Sequence, residues 1–136
     1  MKKLNVIAVY SKDEKKILMC KRLKEPYKGK FNLVGGKLEN SENEYDAAYR
    51  ELNEETGITK NDIKLVHVMN FQYNLTDMEL EFFAGKLNRD LNVVEEINKL
   101  YWLDSDEDFY DNDKFAGEGN IGVMIKQVEL HKDKIF

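Results

Sequence analysis

Between two glycines, Gly36 and Gly57, the chain crowds Glu51, Glu54 and Glu55 into a few residues. Like charges three or four positions apart destabilise a helix by about 0.2–0.5 kcal/mol per pair, so a fold that keeps them together needs something positive to offset them. Ser41 followed by Glu44 has the spacing of a capping box, and Gly57 suits a left-handed C-terminal position. The sequence therefore predicts a helix over Glu42–Thr56, with capping as the role of Glu44. At about 100° per residue, Tyr45, Ala48, Tyr49, Leu52 and Thr56 share one face. Glu44, Glu51 and Glu55 form a neighbouring stripe with Glu54 close by, so the helix is anchored along one side and acidic along another.

The flanking segments read mostly as strands. Val6, Ala8 and Tyr10, a polar turn at Ser11–Glu14 and then Ile17–Cys20 predict two strands in a hairpin-like connection. Leu23–Lys30 holds Pro26, the chain's one proline, and reads as a loop leading to Phe31–Gly36, where paired glycines let the backbone bend or approach a ligand. Ile63–Tyr73 and Glu79–Leu87 are two long strands around a polar turn, and Leu100–Leu103 a short one. Asp104–Asp113 is an acidic loop or short helix, and Ile121, Met124, Ile125 and Val128 recur at helical spacing. No repeat or linker divides residues 1–136, which predicts one domain.

Composition narrows the partners. The formal net charge is −5, with acidic and basic residues interspersed, so no broad basic face is available for polymeric DNA or RNA. Cys20 is the one cysteine and sits in an apolar run, which excludes an internal disulfide and points to a reducing, cytoplasmic compartment. The N-terminus gives way to alternating strand-like residues and no stretch reaches membrane-spanning length, so a soluble, unprocessed chain is expected. A monomer and a homodimer are both compatible with the sequence.

Several carboxylates on one helical face offer hard oxygen ligands suited to Mg²⁺ or Mn²⁺, which bridge protein carboxylates and substrate phosphates. An isolated Glu-x-x-Glu-Glu is ordinarily a solvated helix face. Here Gly36, Glu42, Arg50, Glu51, Leu52, Glu54, Glu55, Gly57 and Ile58 fall at the spacing G-x5-E-x7-R-E-U-x-E-E-x-G-U, with U aliphatic. That pattern, over residues 36–58, resembles the signature of the Nudix hydrolases at every specified position. The resemblance implies an α+β fold, an α/β/α sandwich with a mixed sheet between helices. It also implies a metal-dependent hydrolase of nucleoside diphosphate derivatives. By the same resemblance Glu54, Glu55 and the carbonyl of Gly35 are metal ligands, and Glu51 is a ligand or the base that orients water. Arg50 would organise neighbouring carboxylates, Glu42 and Glu51 among them, without touching substrate. Bound cations would reverse the local field and admit an anionic polyphosphate.

Looser features resemble the MutT-type branch, which cleaves oxidised purine nucleoside triphosphates such as 8-oxo-dGTP to the monophosphate and pyrophosphate. Arg22 sits where that branch has a nucleotide-contacting arginine, although a plain surface charge accounts for it equally. Glu96, six residues before Trp102, matches an additional carboxylate that joins the metal site or activates water, with adjacent Glu95 able to do the same. Asn120 aligns with an asparagine that reads the purine edge; helix capping is its other role. Phe31, Phe71, Tyr73, Phe82 and Trp102 read as core, and His67 and His131 lack partners at ligand spacing, which makes them structural or surface residues. Val34 stands where many relatives have proline. Hydrolysis of a sugar nucleotide or dinucleoside polyphosphate, and a non-catalytic nucleotide-sensing module, are the alternatives.

Overall fold

A run of apolar residues at Val6–Tyr10 that suits both faces of a sheet makes β1 (Lys2–Tyr10) the central strand. Val6, Ala8 and Tyr10 point into one core, Ile7 and Val9 into the other. The computed structural model describes residues 1–39, 41–96 and 98–136. Around β1 it arranges β2 (Lys16–Lys21), β3 (Phe31–Lys37), β4 (Val66–Tyr73), β5 (Met78–Lys86) and β6 (Leu100–Asp104) in the order β4-β5-β1-β3-β2-β6. β5 runs parallel to β1, from Lys2 opposite Met78 to Tyr10 opposite Lys86, and the other main pairings are antiparallel. The sheet is therefore mixed.

The hairpin-like connection between the first two strands forms, but only at its closed end. β1 and β2 meet in register at Tyr10 and Ile17, where Ser11 N–H donates to Lys16 C=O at 2.9 Å. Beyond that point β3 enters between them and takes the pairing of both. A strand buried on both faces gains from two neighbours, and β3 supplies Leu33 and Val34 to the two cores.

Helix α1 (Glu44–Thr56) covers one face of the sheet, burying Ala48 and Leu52 against Ile7, Val9, Val34 and Phe83. On the opposite face α2 (Asn120–Leu130) buries Ile121, Met124, Ile125 and Val128 against Val6, Ala8 and Phe82. The short α3 (Lys132–Ile135) ends at Phe136, whose ring meets Tyr10 edge-on at 4.9 Å. This is the expected α/β/α sandwich. Among the described residues no helix is long and apolar enough to cross a membrane.

The start of α1 departs from the capping box. Asn43 is the cap, its Oδ1 accepting the amide of Tyr45 at 2.9 Å, while Ser41 lies outside the helix with φ +67°. Asparagine caps as well as serine, and a start two residues later leaves Glu42 in the loop, where both its oxygens reach Arg50. Capping is thus not what Glu44 does. The C-terminus follows expectation: Gly57 takes φ 78° and donates its N–H to Asn53 C=O. Tyr45 and Tyr49 edge the buried face, and their hydroxyls accept the amides of His67 and Leu65.

Leu52 is fully buried at the α1–sheet contact. Leu52→Ala is expected to cost about 2–5 kcal/mol, read as a lower urea midpoint with an unchanged slope.

Candidate active site

The end of β3 and the middle of α1 meet at a pair of glycines where an added Cβ would collide, at Gly35 with backbone and at Gly36 with the Glu51 carboxylate. Gly35 has φ +154°, and a Cβ there would lie 2.1 Å from the carbonyl oxygen of Asn5. A Cβ on Gly36 would lie 2.3 Å from the Glu51 carboxylate. The second glycine is therefore a cradle for an acidic side chain. Its amide is held in place by Asn5, which is buried in β1 and accepts the Gly36 N–H at 3.0 Å.

Arg50 supplies the positive charge that the acidic stretch requires. Its Nε and Nη2 donate to the two oxygens of Glu42 at 2.6 and 2.9 Å, a bidentate pair. Nη1 donates to Glu51 at 2.9 Å and Glu54 at 3.2 Å, and Nη2 also reaches the Lys37 carbonyl at 3.0 Å. One guanidinium thus ties the loop before α1, the end of β3 and the acidic stripe into one unit.

Glu55 is left outside that network. It is 9% exposed, and its one hydrogen bond among the described residues is from the Gly35 N–H at 3.1 Å. Burial pushes its carboxyl up to about 7, the Gly35 amide opposes this, and the charges of Glu51 and Glu54 add to the rise. Burial also raises Glu51 above the ordinary carboxylate range, with Arg50 acting against it. Glu51, Glu54, Glu55 and Gly35 present oxygen donors of the kind a hard divalent cation takes. A buried carboxylate without a counter-charge, beside two others, fits such an ion.

The segment before β6 lies against the C-terminal end of α1, where Val94 N–H donates to Thr56 C=O at 2.9 Å. Glu95 and Glu96 are distinguishable there. Glu95 accepts the Leu100 amide at 2.8 Å and so fixes the start of β6, while the exposed Glu96 makes no side-chain hydrogen bond among the described residues.

Arg22 and Asn120 belong to a second group of side chains. Arg22 Nε donates to the Pro26 carbonyl at 3.1 Å, within its own loop. Asn120 Nδ2 donates to the Tyr73 hydroxyl, and the cap position of α2 is taken by Gly119, so the Asn120 side chain does not cap. Tyr27 donates to Glu118 at 2.6 Å; burial raises the Tyr27 hydroxyl above its ordinary value, Glu118 adds to the rise and Arg22 opposes it. No hydrogen bond or ion pair among the described residues joins this group to Glu51, Glu54 or Glu55. Phe82 is buried as expected, whereas Phe31, Phe71, Tyr73 and Trp102 are only partly covered.

Sequence reasoning missed Asn5, which holds the Gly36 amide, and the pairing of Tyr27 with Glu118 in the second group. A signal existed for Asn5, a polar residue inside the apolar run Leu4–Tyr10. Nothing in the sequence pairs Tyr27 with Glu118, 91 positions away.

The NUDIX domain family model matches residues 1–116. The chain belongs to this family, and it is a Nudix hydrolase, a divalent-metal-dependent enzyme acting on nucleoside diphosphate derivatives. No curated relative matches the sequence significantly. Among solved structures the chain is similar to an Ap4A hydrolase binary complex from C. elegans, with a TM-score of 0.77 at 20% identity over 98% of both chains. It is also similar to MutT of Aliivibrio salmonicida and Vibrio cholerae, with a TM-score of 0.70 at 21% identity over 95% of this chain and 98% of that one. The NUDIX domain of Shewanella oneidensis NrtR, complexed with ADP ribose, gives 0.72 at 15% identity over 96% and 87%. At such identities the likeness is one of fold.

Because Glu55 titrates higher in the folded chain than in the unfolded one, the folded state holds the extra proton between about pH 4.5 and 7. Its contribution to stability is complete below that window and is lost as pH rises through it. Denaturant melts with chelator present should show metal-free protein losing about 3 kcal/mol across the window, and Glu55→Gln should flatten that component.

Proposed function

We propose that this chain is a MutT-type nucleoside triphosphate pyrophosphohydrolase, acting on purine substrates that include oxidised dGTP and releasing the monophosphate and pyrophosphate. The observation that carries the reading is the uncompensated carboxylate of Glu55 against Gly35, beside Glu51 and Glu54 held by Arg50. Glu54, Glu55 and the Gly35 carbonyl would hold Mg²⁺, with Mn²⁺ as substitute. When bound, the cation would polarise the phosphoanhydride oxygens and acidify a coordinated water.

The chain's own groups then divide the remaining work. Glu51, half-buried in the Gly36 cradle, joins the ligands or accepts a proton from water, a task that its raised affinity for protons suits. Arg50 keeps the carboxylates from moving apart and is a positioning residue. Glu96 is the fifth member of the proposed set, favoured over Glu95 because the latter's carboxylate is spent on the Leu100 amide. Arg22, with Nε anchored on Pro26, keeps its terminal nitrogens for an anionic or carbonyl group. Asn120 donates its amide nitrogen to the Tyr73 hydroxyl and has an amide oxygen to offer, a donor–acceptor edge that suits a purine.

A panel of nucleotides with Mg²⁺ tests the reading. Pyrophosphate release from a purine triphosphate is the expected result. Two monophosphates from ADP-ribose, or cleavage of a dinucleoside polyphosphate in preference, would replace the substrate class. No turnover of any member by folded, metal-loaded protein would overturn the proposed activity. Glu55→Gln should lower turnover by about 100-fold or more, the scale of losing one transition-state charge contact, while circular dichroism stays unchanged.

Asn120→Ala has a narrower expected outcome. Discrimination between purine bases should fall more than the rate on a poor substrate. Equal losses on every base would reassign Asn120 to holding Tyr73.

A further inference from the structure

Glu81 is the acidic residue that the box does not explain. It sits in the middle of β5 at 0% exposure, and neither carboxylate oxygen has a hydrogen-bond partner among the described residues. Buried polar groups are almost always paired, and a buried charge needs a counter-charge. Its carboxylate points toward Glu44, the first residue of α1, and His67 in β4: one ligand atom from each of the three lies within 4.8 Å of the others.

The hydrogen bonds around His67 identify what is missing between them. Nε2 lies 2.6 Å from Asn70 Oδ1, and Asn70 is oriented by its Nδ2, which donates to Glu79 at 3.3 Å. An acceptor at Oδ1 places the ring proton on Nε2, which leaves the Nδ1 lone pair facing a Glu44 oxygen at 3.5 Å. Two acceptors facing each other need a proton or a cation between them. A proton on Nδ1 would satisfy Glu44, but both ring N–H groups would then be used and the imidazole would have none left for Glu81. A cation serves all three residues. A metal-binding histidine characteristically donates its other nitrogen to a carbonyl or carboxylate, as His67 does to Asn70. Stacking on Phe83, with ring centroids 4.7 Å apart, holds the imidazole in that plane.

We propose that Glu44, His67 and Glu81 form a second metal site, for a borderline divalent cation such as Zn²⁺, separate from the carboxylates of the Nudix box. One imidazole nitrogen with two carboxylate oxygens is a donor set for Zn²⁺, whereas the box offers only oxygen and suits Mg²⁺. Bonds of about 2.1 Å give a tetrahedral edge near 3.4 Å; the His67–Glu44 pair is already at 3.5 Å, and the half-exposed Glu44 side chain has freedom to close on Glu81. Glu44 also borders a surface groove with Lys3, Lys37 and Glu42, so one of the three ligands is open to solvent. The bound ion would clamp the first turn of α1 to β4 and β5. It would also act near the box: Glu81 is opposite Asn5 in register, and Asn5 holds the Gly36 amide.

The test titrates Zn²⁺ into the full chain without nucleotide, with Mg²⁺ in large excess to keep the box carboxylates engaged. Wild type should take up one more equivalent of Zn²⁺ than His67→Ala or Glu81→Gln, or bind it at least ~10-fold more tightly. Its thermal midpoint should rise with Zn²⁺ while those of the variants do not. In ¹⁵N-detected imidazole spectra the His67 Nδ1 resonance should move and the His131 resonances should stay. Equal Zn²⁺ uptake by all three proteins, no uptake by any, or an unmoved His67 resonance overturns the site. If either variant fails to fold, the wild-type spectrum decides alone. None of these readouts involves hydrolysis, so failure here is distinguishable from failure of the proposed activity.

Discussion

The Arg50 guanidinium is the interaction on which the site depends. Its nitrogens reach Glu42, Glu51, Glu54 and the Lys37 carbonyl, groups drawn from a loop, a strand end and a helix. A lysine could not do this, because an ammonium lacks the planar fork that grips Glu42 with two parallel bonds. Side-chain exposure matters as well. Arg50 is 24% exposed and Glu42 and Glu51 less, so these pairs are screened less than those on an open surface.

Beside that centre the chain tolerates an imbalance at Glu55. Among the described residues Glu55 pairs with no cation and is held by a backbone amide alone, and burial raises its carboxyl to about 7. A divalent ion would relieve the same imbalance. The local instability of the metal-free site and its affinity for a cation are two expressions of one burial. Gly35 and Gly36 make the arrangement possible by leaving room for Asn5 and Glu51, where any side chain would collide.

The two ends of α1 differ in chemistry. Toward the C-terminal half the donors are all oxygens, organised by arginine, and the scaffold is a pair of glycines. At the N-terminal end an imidazole and two carboxylates from three different elements converge, with Glu81 fully buried beneath the partly exposed His67 and Glu44. Asn5 lies between these ends, accepting from Gly36 and paired in register with Glu81. β1, the most buried strand, is therefore also the strand through which the two ends touch.

Much of this was legible in the chain itself. The spacing from Gly36 to Ile58 determined the acidic helix, its glycine stop and the oxygen-rich face, because those depend on periodicity and on residues near in sequence. Strand positions followed from alternation, to within a few residues at their ends. Three outcomes needed the tertiary fold. β3 inserted between β1 and β2 because a doubly buried strand seeks two neighbours, something no local pattern encodes. Asn43 displaced Ser41 as the cap because Glu42 was claimed by Arg50. His67, which has no ligand spacing in sequence, met Glu44 and Glu81 because strand pairing and helix packing bring positions far apart along the chain within a few ångströms. Sequence decides what each segment prefers; the third dimension decides which charges must share a space, and that sharing gives the molecule its chemistry.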